Sequence, residues 1–201
     1  MIRNVLFDWS GTLVNDLPAV WRATNYTFAQ SGHPEMSLEE FRAEFSLPFD
    51  EFYERVTPGV PLGQLEEWYK LSFAGEQKTI EPLPFAQEFF SFCKSKHLRT
   101  FLLSTIHPDH YREQSAHIAF DFDHVYVRVM DKRERIGQIL KEQNLLAKET
   151  MFIGDMQHDV ETAHAGGIHS CAVLTSGKVK CFGNKARGRL NLTESEKDQI
   201  G

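Results

Sequence analysis

Val5-Leu6-Phe7-Asp8-Trp9-Ser10-Gly11-Thr12-Leu13-Val14 reads as a buried strand that runs straight into a glycine-containing loop. A carboxylate, Asp8, stands where the strand gives out, and in an α/β sheet ligands sit outside the carboxyl ends of the strands. Gly11 lets the loop backbone approach an anion closely, and neighbouring N–H groups, Thr12 among them, can cradle it. That geometry suits phosphate chemistry. An Asp after an apolar run also serves as an ordinary turn residue, so the stretch has to be weighed with the rest of the chain.

Three further stretches supply that company. Phe101-Leu102-Leu103-Ser104-Thr105 is a second apolar strand ending in hydroxyls, and Lys132 is a cation shortly after the apolar Val125-Tyr126-Val127 run. Met151-Phe152-Ile153-Gly154-Asp155-Met156-Gln157-His158-Asp159 is another strand, ending in two carboxylates. In this order and spacing the four stretches resemble the four motifs of the haloacid dehalogenase-like hydrolase superfamily. The resemblance spans residues 2 to about 175 and is nearest to the capped, phosphoglycolate phosphatase-like members. It implies an α/β fold: a Rossmann-like, three-layer α/β/α core with a parallel sheet, plus a small all-helical cap inserted after the first strand.

Composition permits this. At 201 residues the chain can hold one α/β domain and a small insertion, and 41% hydrophobic residues can build a core. A formal net charge of -6 disfavours nucleic acid as the main partner, since duplex binding needs clustered cations. No apolar run approaches the roughly 20 residues needed to span a bilayer. The N-terminus enters a strand directly without a signal-peptide pattern, so a cytoplasmic protein, monomer or homodimer, is the expectation. Cys93, Cys171 and Cys181 lack metal-type spacing and are expected to be reduced thiols rather than a disulfide frame.

The expected core domain comprises residues 1–14 and 81–175, and the helical cap residues 15–80. In the cap, Leu17, Val20, Trp21, Thr24 and Phe28 fall on one helical face, with Gly32 where a C-cap belongs. Ser37-Leu38-Glu39-Glu40 is a capping box for a second helix. Phe49, Phe52, Tyr53 and Val56 mark a third, and Leu65, Trp68, Tyr69 and Ser72 a fourth. Helices this short must bury an apolar face against one another, and aromatic residues do that well. Such a bundle is expected to act as a lid.

From Pro82 onward, strands alternate with helices, which implies a parallel, three-layered sheet. After Ser176 the pattern fails. Residues 176–201 carry Lys178, Lys180, Lys185, Arg187 and Arg189 and then a polar end, the composition of a solvated tail.

The resemblance also assigns roles. It makes Asp8 the nucleophile that attacks phosphorus, with an aspartyl-phosphate as intermediate. Asp8, Asp155 and the backbone carbonyl of Ser10 would ligate Mg²⁺, with Asp159 ligating through water or orienting its neighbours. Taken alone, Asp155 and Asp159 would be helix caps that complement the dipole. Ser104 and Thr105 would hydrogen-bond the phosphoryl oxygens, and Lys132 would neutralise their charge. The implied substrate is a small phosphorylated metabolite.

One departure stands out. Phosphatases of this family carry a second Asp two residues after the nucleophile, where this chain has Ser10. Loss of a general acid-base group costs about 10² to 10⁴ in rate, or roughly 3 to 5 kcal/mol of barrier. A good leaving group, a substitute such as His158 or His107, or loss of turnover in favour of binding or regulation would each accommodate it. Asp8-Trp9-Ser10-Gly11-Thr12 is also similar to the Asp-Trp-Ala-Gly-Thr form of phosphonoacetaldehyde hydrolases, which cleave a carbon–phosphorus bond using a cap lysine. The corresponding stretch, Ser46 to Tyr53, contains no lysine.

Overall fold

A computed structural model describes residues 1–46, 49–173 and 179–182. It divides into two compact units, one formed by Met1–Val14 with the chain from Pro82 onward, the other by Asn15–Glu81.

The first unit is built on a six-stranded sheet. Its strands are β1 (Asn4–Phe7), β2 (Arg99–Leu103), β3 (His124–Tyr126), β4 (Thr150–Gly154), β5 (His169–Val173) and β6 (Val179–Phe182), in the spatial order β3-β2-β1-β4-β5-β6. The first five are parallel. β1 is central: Leu6 lies between Phe101 of β2 and Phe152 of β4. All four β1 residues are buried, as expected for a parallel strand covered on both faces.

Successive side chains leave opposite faces of a strand. Leu6 joins Phe101, Leu103 and Phe152 in a cluster closed by Ile136 and Ile139 of α7 (Lys132–Glu142) and Ala163 of α8 (Gln157–Ala165). Phe7 instead meets Phe90 of α5 (Ala86–Ser95), their ring centroids 5.8 Å apart, and Phe122 at 6.3 Å. A last helix, α6 (Pro108–Ser115), follows β2. The chain leaves β1 for β2 on one side and reaches β4 on the other, so the carboxyl end of β1 is the point where strand order reverses. Open α/β sheets hold their ligands in such a crevice.

Two expectations are corrected. β6 is antiparallel to β5 and falls inside the segment read as a tail; the remainder of that segment lies outside the described residues. Its Val-Lys-Cys-Phe sequence is too short and too embedded among basic residues to announce a strand. Cys171 and Cys181 are not free thiols but a disulfide, because the hairpin register sets them directly opposite each other, Cα atoms 4.0 Å apart. Only the pairing of β5 with β6 creates that proximity. Cys93 is free and buried in α5.

Among its described residues the second unit holds four α-helices, α1 (Leu17–Ser31), α2 (Leu38–Glu44), α3 (Phe49–Val56) and α4 (Leu62–Glu76), around a buried cluster of Phe28, Phe41, Phe52, Tyr53 and Leu65. Gly32 closes the first helix at φ 75°, a left-handed conformation that glycine adopts without strain. Ser37 and Glu40 form a reciprocal capping box on the second.

Candidate active site

Asp8 continues the β1–β4 ladder by one residue, its N–H donating to the Ile153 carbonyl at 2.9 Å. That fixes its side chain over the strand end. The carboxylate is then held from two directions: Oδ1 accepts the Trp9 N–H at 2.7 Å, and Oδ2 lies 2.8 Å from Lys132 Nζ. The Lys132 ammonium also donates to Asp159 Oδ1 at 2.7 Å. Asp159 Oδ2 accepts the Met156 N–H at 3.1 Å, so this residue both ties the start of α8 and anchors the lysine. Asp155 receives the Thr12 hydroxyl at 3.0 Å. Oxygens of Asp8, Asp155 and Asp159 lie within 4.8 Å of one another.

Lys132 is completely buried at the first position of α7. Burial opposes its charge, but Asp159 and Asp8 outweigh burial and raise its pKa. Asp8 is pushed up from the ordinary carboxylate value by desolvation, against the pull of Lys132 and with the repulsion of Asp159. Asp155 is pushed up further, by desolvation and then by Asp159 and Asp8. With all three carboxylates ionised beside one ammonium, the cluster carries two excess negative charges, which a divalent cation balances. The oxygen-only donor set suits a hard cation such as Mg²⁺.

Two glycines make the convergence possible. A Cβ on Gly11, at φ +68°, would stand 2.1 Å from Asp155 Oδ2, and one on Gly154 would stand 2.2 Å from Asp159 Oδ2. Gly11 therefore gives room to a carboxylate. The anion cradle expected of its loop takes another form: the N–H of Gly11 bonds to the Val14 carbonyl, and those of Thr12, Leu13 and Val14 bond to that of Trp9. The loop satisfies its own donors and becomes a rigid turn.

The other expected residues are placed as follows. Ser104 is buried at the end of β2, its Oγ accepting the Ile106 N–H at 3.3 Å, and Thr105 follows it half-buried. Ser10 lies half-buried between Trp9 and Gly11. His158 is not with the carboxylates. It is buried at the start of α8, where Nε2 accepts the Lys132 backbone N–H at 3.4 Å; Nδ1 meets no partner among the described residues. Burial, then Lys132 and Arg133, lower its pKa and keep the ring neutral. His107 caps α6, Nδ1 accepting the Asp109 N–H.

Reading the sequence missed Trp9, Gln114 and Gly154 as parts of this site. The Trp9 indole is fully buried and donates through Nε1 to Gln114 Oε1 at 2.6 Å, with Tyr111 and Phe120 packed edge-on against it. One residue thus grips the Asp8 carboxylate with its main chain and α6 with its side chain. A bulky aromatic directly after the strand carboxylate was the available signal.

A family model described as haloacid dehalogenase-like hydrolase matches residues 5–173. The chain is 25% identical, over 82% of its length and 79% of the relative's, to a 5'-nucleotidase of Pseudomonas aeruginosa. Its fold is similar to that of a predicted phosphatase from Clostridium acetobutylicum, with a TM-score of 0.77 at 16% identity over 88% of this chain and 87% of that one. It is also similar to a predicted phosphoglycolate phosphatase from Haemophilus somnus, with a TM-score of 0.67 at 16% identity over 84% of each chain. The carboxylates at the reversal point of the sheet and the matched family model agree: the chain belongs to the haloacid dehalogenase-like hydrolases.

Proposed function

We propose that the protein is a Mg²⁺-dependent phosphatase of a small phosphorylated metabolite, working through an aspartyl-phosphate on Asp8. The observation that carries this reading is the convergence of Asp8, Asp155 and Asp159 on one point beside the buried Lys132. Asp8, Asp155 and the Ser10 carbonyl would hold the cation. When bound, Mg²⁺ would offset the repulsion between the Asp8 carboxylate and a phosphate dianion.

The chain's own groups account for the rest. Asp8 is preorganised by Trp9 and Lys132, so its attack on phosphorus needs no rearrangement of its hydrogen bonds. Attack forms an acyl phosphate and releases the alkoxide side of the ester. Lys132, buried and cationic, favours the ionised, nucleophilic form of Asp8 and would offset negative charge on the phosphoryl oxygens. Ser104, at the end of the adjacent strand, is the donor for the phosphoryl oxygens. Water then cleaves the acyl phosphate. Ser10 cannot act as acid or base near neutrality, so both steps lack about 10² to 10⁴ of assistance. His158 does not replace it, because it is turned to the Lys132 main chain.

The proposed setting is the cytoplasm, with no nucleic-acid or membrane partner and a monomeric or homodimeric state. No helix among the described residues is long and apolar enough to cross a membrane. The competing reading, a binding or regulatory protein, rests on Ser10. A panel of phosphate monoesters, nucleoside 5'-monophosphates and acyl phosphates included, assayed with Mg²⁺ or chelator on wild type, Asp8→Asn and Ser10→Asp, decides. Metal-dependent turnover lost in Asp8→Asn supports the phosphatase. Turnover that appears only in Ser10→Asp supports the binding protein, and turnover that survives Asp8→Asn defeats the nucleophile assignment.

A further inference from the structure

We propose that Cys181 is a thiol–disulfide exchange site, at which an acidic small-molecule disulfide of the glutathione type closes the Cys171–Cys181 bond and the matching thiol opens it. Neither Asp8 nor the acidic cluster takes part.

The two bonded sulfurs are unlike in their surroundings. Cys171 is buried in β5, its sulfur 3.5 Å from Met151 Sδ of β4, whereas Cys181 is exposed on β6, the edge strand of the sheet. A thiolate arriving from solvent therefore meets the bond at one sulfur, and exchange depends on such access. The sequence around that sulfur is basic, with Lys178, Lys180 and Lys185 within four positions of Cys181. Cations near a sulfur favour its thiolate, and they suit a reagent that carries carboxylates.

The backbone keeps the pair ready to close. Cys171 and Cys181 are register partners, bracketed by Ser170 with Phe182 and by Ala172 with Lys180, so two free thiols in this ladder still face each other. To close the bond, the Cys181 thiolate attacks one sulfur of the reagent and displaces the first thiolate. Cys171 then gives up its proton, attacks the Cys181 sulfur and releases the second thiol. Two electrons and two protons pass from the cysteine pair to the reagent, and opening runs the same steps backwards.

The bond matters to the sheet that carries the candidate active site. β6 is attached through β5, and Cys171 is itself the β5 partner of Ile153, two residues before Asp155. Opened, the hairpin keeps its four-residue edge strand by main-chain pairing alone. In the proposed cytoplasmic setting a disulfide is characteristically a transient or sensing bond rather than a permanent brace.

The test uses glutathione and its disulfide as probes. The folded wild-type chain is equilibrated with mixtures of the two, free thiols are trapped with N-ethylmaleimide in denaturant, and each cysteine is read by peptide mass spectrometry. Excess glutathione should open the bond in the folded protein and glutathione disulfide should close it again, with the buried Cys93 unchanged. The bonded form should melt about 5–10 °C above the opened one, as a short closed loop requires. In a Cys93→Ala background, Cys171→Ser leaves Cys181 as the one thiol and should take up glutathione about tenfold or more faster than Cys181→Ser, which leaves the buried Cys171. A bond that excess glutathione leaves intact in the folded protein overturns the proposal, as does a pair that glutathione disulfide leaves as two thiols. Equal uptake by the two single-thiol chains overturns Cys181 as the point of entry. The wild-type measurement needs no substitution, so it decides even where a variant does not fold.

Discussion

Replacing Asp155 by Asn should make the metal-free protein more stable while removing its response to Mg²⁺. Asp155, Asp8 and Asp159 offer oxygens within 4.8 Å of one another. At an effective dielectric of ~20, two like charges at that distance repel by about 3.5 kcal/mol. Asp155 faces two such neighbours, and Lys132 is the smallest influence on it. Asn fits the same space and can still accept the Thr12 hydroxyl. Side-chain rearrangement in the wild type relieves part of the repulsion, leaving a net gain of about 2 kcal/mol, in the range of other single stabilising substitutions. For a chain of this size that is a rise in Tm of about 4 to 8 °C.

The pH dependence has a definite sign. The folded pKa of Asp155 is raised above 3.8, so its contribution to stability is full below 3.8 and is lost as pH rises through the folded value. The advantage of Asn should therefore appear at neutral and alkaline pH and vanish in acid. Excess Mg²⁺ should reverse the order, because a cation that binds only the folded wild type stabilises it by about 2.7 kcal/mol at a hundred times Kd. Scanning calorimetry in chelator and in excess MgCl₂, across pH, reads all of this. An Asn variant that melts below wild type in chelator at neutral pH would refute the reasoning.

Other substitutions probe the supports of the site. Gly11→Ala adds a left-handed penalty of about 1–2 kcal/mol and drives a methyl into Asp155; Tm should fall and Mg²⁺-dependent hydrolysis should be lost together. Trp9→Phe removes the buried donor to Gln114, which should cost about 1–3 kcal/mol in urea unfolding and lower kcat more than it raises KM, since Asp8 is displaced rather than removed. Lys132→Met strands two carboxylates and should cost about 3–5 kcal/mol, with Mg²⁺ restoring part of the loss in the same unfolding assay.

Much of the architecture could be read along the chain because its signals are local. The continuous apolar run at Val5–Phe7, the Ser37/Glu40 capping box and Gly32 each report on residues within one turn or one strand. Asp8, Asp155 and Asp159 are pointed to by the family resemblance that the strand ends carry together, since each alone reads as a turn residue or a helix cap. What stayed hidden depends on register between distant segments. The resemblance places Lys132 in the site, but nothing in the charged run Asp131–Arg135 announces its burial; only the packing of α7 on the sheet sets it between Asp8 and Asp159. Thr12 meets Asp155 across 143 positions and Trp9 meets Gln114 across 105. The Cys171–Cys181 bridge depends on a hairpin whose second strand has no clear apolar alternation.

Chemical trapping of the acyl phosphate tests the central claim most directly. Wild-type protein is mixed with a turned-over phosphate ester and Mg²⁺, quenched, and treated with borohydride, which reduces an aspartyl-phosphate to homoserine; the modified peptide is then located by mass spectrometry. The account predicts homoserine at residue 8, dependent on Mg²⁺ and absent from the chelated sample. Turnover with residue 8 unmodified, or reduction at a lysine instead, would contradict it.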